Sequence, residues 1–190
     1  MTLSFEERYG AVDIARRVKD VARRITADYP GGPVVLVSIL KGTAFFAADL
    51  ARALSPKECR IEYVDVFRSK DDKDEAVIDF HFVRNFRAAG ADLVILKDVV
   101  RSGTTERYLS DQFREENPRS IRFASVIDRP QERKLSFVVD YVLFPSEEGV
   151  LVGYGMEYQG EGGHFPFIAQ VKTGEEGPFD PPTGRIRTRP

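Results

Sequence analysis

The chain has 190 residues, 28 lysines and arginines against 30 aspartates and glutamates, a formal net charge of −2 and 42% hydrophobic side chains, which predicts one soluble globular domain that needs no metal or disulfide to hold its core. Its single cysteine, Cys59, excludes an internal disulfide and fits a reducing, cytoplasmic setting, while the near-neutral balance argues against bulk binding to nucleic acid and leaves a small polar or anionic ligand open. No apolar run nears the roughly 18 residues of a membrane helix, and residues 1–20 carry charges of both signs from Glu6 onward with no export-signal pattern.

Ser4 and Glu7 have the spacing of a capping box, and Phe5, Tyr9, Val12, Val18, Val21 and Ile25 recur at helical steps. Together they predict an amphipathic helix that ends near Tyr29 and Pro30. Residues 33–39 form a valine-rich apolar run suited to a strand buried on both faces of a parallel sheet. Helix is predicted over 44–54 and 104–116, and strand over 61–67, 93–96 and 121–127. This alternation indicates an α/β domain with a mainly parallel sheet. Residues 68–75 hold seven charges in eight positions and predict a surface loop or flap, followed by a half-exposed strand over 77–83. The tail, 173–190, has four prolines and almost no apolar content, so the ordered domain is expected to span 1–172 and the tail to be disordered.

The most informative stretch is 93–106, LVILKDVVRSGTTE, where a buried strand meets a short polar turn and then a helix. Ligands of open α/β sheets bind at the carboxyl ends of such strands. Ser102, Gly103, Thr104 and Thr105 combine helix-start amides with three hydroxyls, a composition suited to a phosphate, although an ordinary helix N-cap would look the same. A second strand-to-helix turn at Lys41 and Gly42 would line the same site, yet Gly with a solvated Lys is also what turn geometry alone favours. Neither turn has Walker A spacing or a paired-glycine dinucleotide fingerprint.

These segments, together with VVLVSILKG at 34–42, NPRS at 117–120, IDRP at 127–130, VDYV at 139–142 and VGYGMEY at 152–158, resemble the type I phosphoribosyltransferases, above all the bacterial hypoxanthine and hypoxanthine-guanine enzymes. The resemblance covers nearly the whole chain. It implies a core parallel sheet flanked by helices, a small hood built from the chain ends, and transfer of phosphoribose from phosphoribosyl pyrophosphate to a purine. It also implies that Ser102, Gly103, Thr104 and Thr105 hold the sugar 5-phosphate and that Lys41 and Gly42 form the pyrophosphate turn. Arg129 matches a lysine that reads the purine 6-oxo group, Leu151 offers backbone groups to the base, and Glu157 matches an aspartate that helps hold Mg2+. Residues 68–75 match a flap, here shorter. The family commonly forms homodimers or homotetramers.

The pattern breaks in one place above all. Where 6-oxopurine members read Glu-Asp-x-x-Asp-Thr-Gly, this chain has Lys97, Asp98, Arg101, Ser102 and Gly103, so that minus three becomes plus one. A cation about 5 Å from a developing oxocarbenium raises its energy by roughly 3 kcal/mol at an effective dielectric near 20, about a hundredfold in rate. Arg101 also cannot act as the general base that the third acid is presumed to be. Val150 stands where the family stacks an aromatic ring on the purine, and Gly163 where it places an arginine on the pyrophosphate. Drift at solvent-facing positions explains any one change alone. Jointly they predict that Lys97 and Arg101 supply positive charge to a bound sugar phosphate, lessening the need for Mg2+, and that the acceptor, a purine-like base or another nitrogen nucleophile, or the reaction itself has shifted from the family's.

Other residues carry less. His81 and His164 are separated and lack metal-ligand spacing, His164 reading best as an exposed loop residue and less well as a replacement acid or base. Cys59 reads as structural, and Tyr154 and Tyr158 as packing between hood and core. Two functions follow: a glycosyltransferase acting at the anomeric carbon through Asp98, Arg101 and Lys97, or a catalytically impaired protein that binds a nucleotide or sugar phosphate and regulates a partner.

Overall fold

In the computed structural model, residues 3–54, 58–70, 76–82, 86–145 and 149–172 are described. The elements in chain order are β1 (Ser4–Tyr9), α1 (Ala11–Asp28), β2 (Val34–Ile39), α2 (Ala44–Ala53), β3 (Cys59–Lys70), β4 (Ala76–Phe82), β5 (Asp92–Val100), α3 (Thr104–Glu115), β6 (Ser120–Asp128), a 3-10 turn (Pro130–Glu132), β7 (Tyr141–Pro145), β8 (Leu151–Val152) and β9 (Ile168–Lys172). Six strands form one sheet in the order β4-β3-β2-β5-β6-β7, in which only the β3–β4 pair is antiparallel.

The apolar runs explain the layers. Along β2 and β5 alternate residues face opposite ways: Val34, Leu36, Val94 and Leu96 pack with Ile14, Val18, Ile25, Phe46 and Leu50 of α1 and α2. Val35, Val37, Leu93 and Ile95 pack with Leu109 and Phe113 of α3. A strand covered on both faces needs no polar alternation, which is why these two read as continuous hydrophobic stretches.

The expected helix from the Ser4–Glu7 box to near Tyr29 and Pro30 is corrected at its start. Residues 4–9 are a strand, because Phe5 packs edge-on to Phe165 at 5.2 Å and β1 pairs antiparallel with β9. The capping-box spacing of Ser4 and Glu7 is coincidental, since α1 begins after Gly10 and buries Ile14, Val18, Val21, Ala22 and Ile25. That phase leaves Val12, expected on the inner face, 84% exposed. The charged segment is corrected as well. Residues 68–70 continue β3 and Ala76 opens β4, so the pair forms an antiparallel hairpin, with 71–75 outside the described residues. Residue 83 and the tail 173–190 also lie outside them.

A second sheet, β1-β9-β8, joins the two ends of the described chain. Val152, Ala169 and Val171 form its small apolar cluster with Phe5, Tyr158, Phe165 and Phe167. This is the expected hood. Among the described residues no helix is long and apolar enough to cross a membrane.

Candidate active site at the carboxyl edge of the sheet

From β2 the chain moves outward to β3, then returns to the other side of β2 to form β5. The strand order therefore reverses between β2 and β5, and a crevice at such a point is where open α/β sheets take ligands. The turn after β2 and the turn after β5 both open there.

The two turns touch. A Cβ added to Gly42 would lie 2.3 Å from Oδ2 of Asp98, and one added to Gly155 would lie 2.4 Å from the Gly42 carbonyl oxygen. Gly42 is thus held between β5 and the hairpin of residues 153–161, and only a residue without a side chain fits. The Leu40–Lys41 peptide bond is cis, and Lys41 is exposed. Thr43 is buried and donates to the Ile39 carbonyl at 2.6 Å while its Oγ1 lies 2.7 Å from Ser38 Oγ, which closes the turn from below.

Asp98 accepts the Val99 amide at 2.8 Å, and Lys97 Nζ stands 3.7 Å from its Oδ1. Lys97 is largely buried, with 14% of its side chain exposed. The turn after β5 reaches α3 through Gly103, whose φ of +83° makes it the helix N-cap in a left-handed conformation. Such an N-terminus carries partial positive charge and first-turn amides beyond the reach of the helix's own hydrogen bonds. Ser102 Oγ accepts the Thr104 amide at 3.3 Å and donates to Thr104 Oγ1 at 3.1 Å, while Thr105 is buried.

A segment that sequence reasoning passed over supports this turn. The Lys134 and Leu135 amides donate to the Ser102 carbonyl at 3.0 and 3.3 Å. Arg133 donates to the Arg101 carbonyl, to Asp128 and, at 3.2 Å, to the Phe137 carbonyl. Phe137 in turn lies 3.1 Å from where a Gly103 Cβ would stand.

Arg101 and Arg129 converge on one carboxylate, also unforeseen. Arg101 Nε donates to Glu132 Oε2 at 2.5 Å and Arg129 donates to Glu132 Oε1 at 3.2 Å. Burial pushes the Glu132 carboxyl up, but Arg101 first and Arg129 second outweigh it and hold the group below its ordinary range. Arg129 is 5% exposed and also donates to the Gly149 carbonyl at 2.5 Å, next to Val150 and Leu151; its buried Nε has no partner among the described residues. The signal available in the sequence was indirect: a part-buried arginine at 101 needs a counterion, and Glu132 follows Arg129 within a charged run.

Leu151, in β8, pairs with Gln170, and the Val150 carbonyl accepts the Val171 amide at 2.8 Å. Glu157 is exposed on the 153–161 hairpin, where a Gly163 Cβ would come within 2.6 Å of its Cγ. Its carboxylate and that of Asp98 are the donors at hand for a divalent cation. Among the described residues no three His, Cys, Asp or Glu gather as a metal cage. Tyr154 is buried, donates to Asp49 of α2 at 2.7 Å and so ties hood to core, whereas Tyr158 packs within the hood cluster. His164 is exposed against Phe165, and Cys59 is half-buried with its thiol pushed up by burial.

Comparison with known proteins gives one consistent result. The family of phosphoribosyl transferase domains matches residues 9–159. The hypoxanthine-guanine phosphoribosyltransferase of Streptococcus agalactiae is 27% identical over 165 residues, covering 86% of this chain and 91% of that protein. A crystal structure of a hypoxanthine-guanine phosphoribosyltransferase from Bacillus anthracis superposes with a TM-score of 0.82 at 26% identity, covering 90% of this chain and all of that one. The hypoxanthine phosphoribosyltransferase of Trypanosoma cruzi gives 0.82 at 27% identity, covering 88% and 91%.

Proposed function

The chain belongs to the phosphoribosyl transferase domain family, and from that premise we propose that it moves phosphoribose from phosphoribosyl pyrophosphate to a ring nitrogen of a 6-oxopurine, releasing pyrophosphate. It has the type I phosphoribosyltransferase fold and is a glycosyltransferase of that type. The observation that carries the acceptor class is Arg129, buried at the end of β6 and hydrogen-bonded to the Gly149 carbonyl beside Val150 and Leu151.

In this reading Ser102, Gly103, Thr104 and Thr105 hold the 5-phosphate at the start of α3. Lys41 and Gly42 face the pyrophosphate, and Asp98, in contact with that turn, holds the ribose hydroxyls. Arg129 reads the 6-oxo group, with Val150 and Leu151 as the wall beside the base. Mg2+ screens the pyrophosphate when bound, and Glu157 would help hold it. A homo-oligomer in the cytoplasm is the setting we propose; the C-terminal region of the Trypanosoma cruzi relative has a role in its oligomeric state.

The rival reading, a binding protein without turnover, drew on the charge reversal along 97–101. Glu132 weakens that argument. With a carboxylate 2.5 Å from Arg101 Nε and 3.2 Å from Arg129, one of the two arginine charges is offset, so the field there is weaker than that of two lone cations. The relatives named above are enzymes. The test is incubation of the protein with phosphoribosyl pyrophosphate, Mg2+ and hypoxanthine or guanine, with pyrophosphate release as the readout. Release proportional to protein and dependent on the base is expected. Absence of release with every purine, in a protein that still binds nucleoside monophosphates by calorimetry, overturns the transfer reading.

A further inference from the structure

Joining a sugar carbon to a ring nitrogen strips that nitrogen of its proton, so the site needs a base within hydrogen-bond reach of the acceptor. Arg101 cannot be that base, because a guanidinium stays protonated at neutral pH. Several carboxylates stand in or beside the turns, and their surroundings separate them. Glu106 is 3% exposed within the first turn of α3. Asp128 is ion-paired with Arg133, with 15% of its side chain exposed. Asp98 packs against Gly42 and accepts the Val99 amide, and Glu157 stands on the hairpin against Gly163.

Glu132 differs from all of these. What sets it apart is its position: it spans Arg101 and Arg129 through its two oxygens, with 30% of its side chain exposed. Arg101 leads straight into the turn at 102–105, while Arg129 reaches the Gly149 carbonyl at the base wall. The carboxylate therefore lies between the segments proposed to hold the phosphate and the base, where the two reactants meet. Among the described residues each oxygen accepts one hydrogen bond and keeps further lone-pair capacity for an acceptor N–H.

We propose that Glu132 is the general base of the transfer, an acid relocated from the end of β5 to the turn after β6; this rests on the transfer reading above. As the bond from nitrogen to the anomeric carbon forms, the bond from that carbon to the pyrophosphate oxygen breaks and pyrophosphate leaves with the bonding pair. Positive charge growing on the ring acidifies its N–H, and the proton passes to a Glu132 oxygen and from there to water. The two arginines hold the carboxyl below its ordinary range, and in turn it offsets part of their charge next to the developing cation.

The test compares wild type with Glu132→Gln and Glu132→Ala at saturating Mg2+, using phosphoribosyl pyrophosphate and hypoxanthine or guanine. Glu132→Gln is expected to lower kcat by about a hundredfold or more, the usual scale for general-base loss, with KM for the donor within about threefold. Glu132→Ala is expected to regain about tenfold in kcat when formate is added, which a role confined to holding two arginines would not produce. Glu132→Asp, which keeps the charge but shortens the reach, serves if either variant fails to fold, and a kcat reduced about tenfold is then expected. A Glu132→Gln enzyme within threefold of wild type overturns the proposal, as does a Glu132→Ala enzyme that formate leaves unchanged, or an undiminished Glu132→Asp. A wild type inert with every purine sinks the transfer reading itself; an active wild type with an equally active Glu132→Gln sinks Glu132 alone.

Discussion

The two ends of the parallel sheet both carry arginines paired with acids, and they use them differently. At the amino edge Tyr141 donates to Asp28 at 2.7 Å, Arg122 pairs with Asp28 and donates to the Tyr141 hydroxyl at 2.6 Å, and the Arg122 guanidinium lies over the Tyr29 ring at 5.0 Å. Beside them Asp92 accepts Ser120 Oγ at 2.7 Å and Arg119 Nε at 2.9 Å. These acids link strand starts to the end of α1, an arrangement that ties elements together. At the carboxyl edge the strands run out into turns, and Glu132 and Asp98 stand half-exposed there. Similar residue types tie elements together at one end and, in the reading proposed above, serve chemistry at the other, where the strands run into the starts of helices.

The sharpest way to break this contrast is at the contact between turns. Gly155→Ala forces a Cβ to within 2.4 Å of the Gly42 carbonyl oxygen at a φ of +98°. A clash with backbone in a conformation that L residues avoid is expected to cost about 3 kcal/mol or more, read as a fall in Tm of roughly 6 to 12 °C. Pyrophosphate release should drop by about a hundredfold even well below the new Tm. Retained activity would show that the hairpin of residues 153–161 does not hold the pyrophosphate turn. Next in size is Arg133→Ala, which leaves Asp128 without its partner and removes the donor to the Arg101 carbonyl. An expected loss of about 2 to 3 kcal/mol is joined by about tenfold weaker binding of nucleoside monophosphates, measured by calorimetry. Unchanged binding would detach the 133–137 segment from the phosphate turn.

Tyr141→Phe probes the other end. It deletes one hydroxyl that bridges Asp28 and Arg122, at a cost of about 1 kcal/mol in urea unfolding, with kcat and KM unchanged. A change in turnover would mean that the two edges are coupled.

How much of this was legible depends on where each element gets its stability. Strands β2 and β5 announce themselves because burial on both faces demands long apolar runs, and the turns at 41–42 and 102–105 follow directly from their ends. Strands β1, β8 and β9 do not, since they exist through pairings such as Ser4 with Lys172 that no local pattern encodes. In the site, the motif positions were readable one by one, but Glu132 and Arg133 belong to a charged run, QERK at 131–134, that looks like any solvated turn. Their significance lies in the tertiary contact with Arg101, across about thirty residues of chain, and only the fold supplies it.

The finest test of the contrast is a difference in pH dependence. Asp28 is held below its ordinary carboxyl value of 3.8, chiefly by the Tyr141 hydrogen bond, with burial opposing and Arg122 assisting. A carboxyl depressed in the folded state contributes stability that is fully present above the unfolded value and is lost as pH falls through the folded one. Replacing Tyr141 with Phe removes the largest cause, so the Asp28 carboxyl of the variant titrates closer to its unfolded value and has less to lose. Glu132, shifted in the same direction by Arg101 and Arg129, is common to both proteins and cancels in the comparison. The gap in urea midpoint between wild type and Tyr141→Phe should therefore be widest near pH 7 and narrow as pH drops below about 4. A gap that stays constant from pH 7 to pH 3 would mean that the hydroxyl stabilises the amino edge without selecting the ionised form of Asp28.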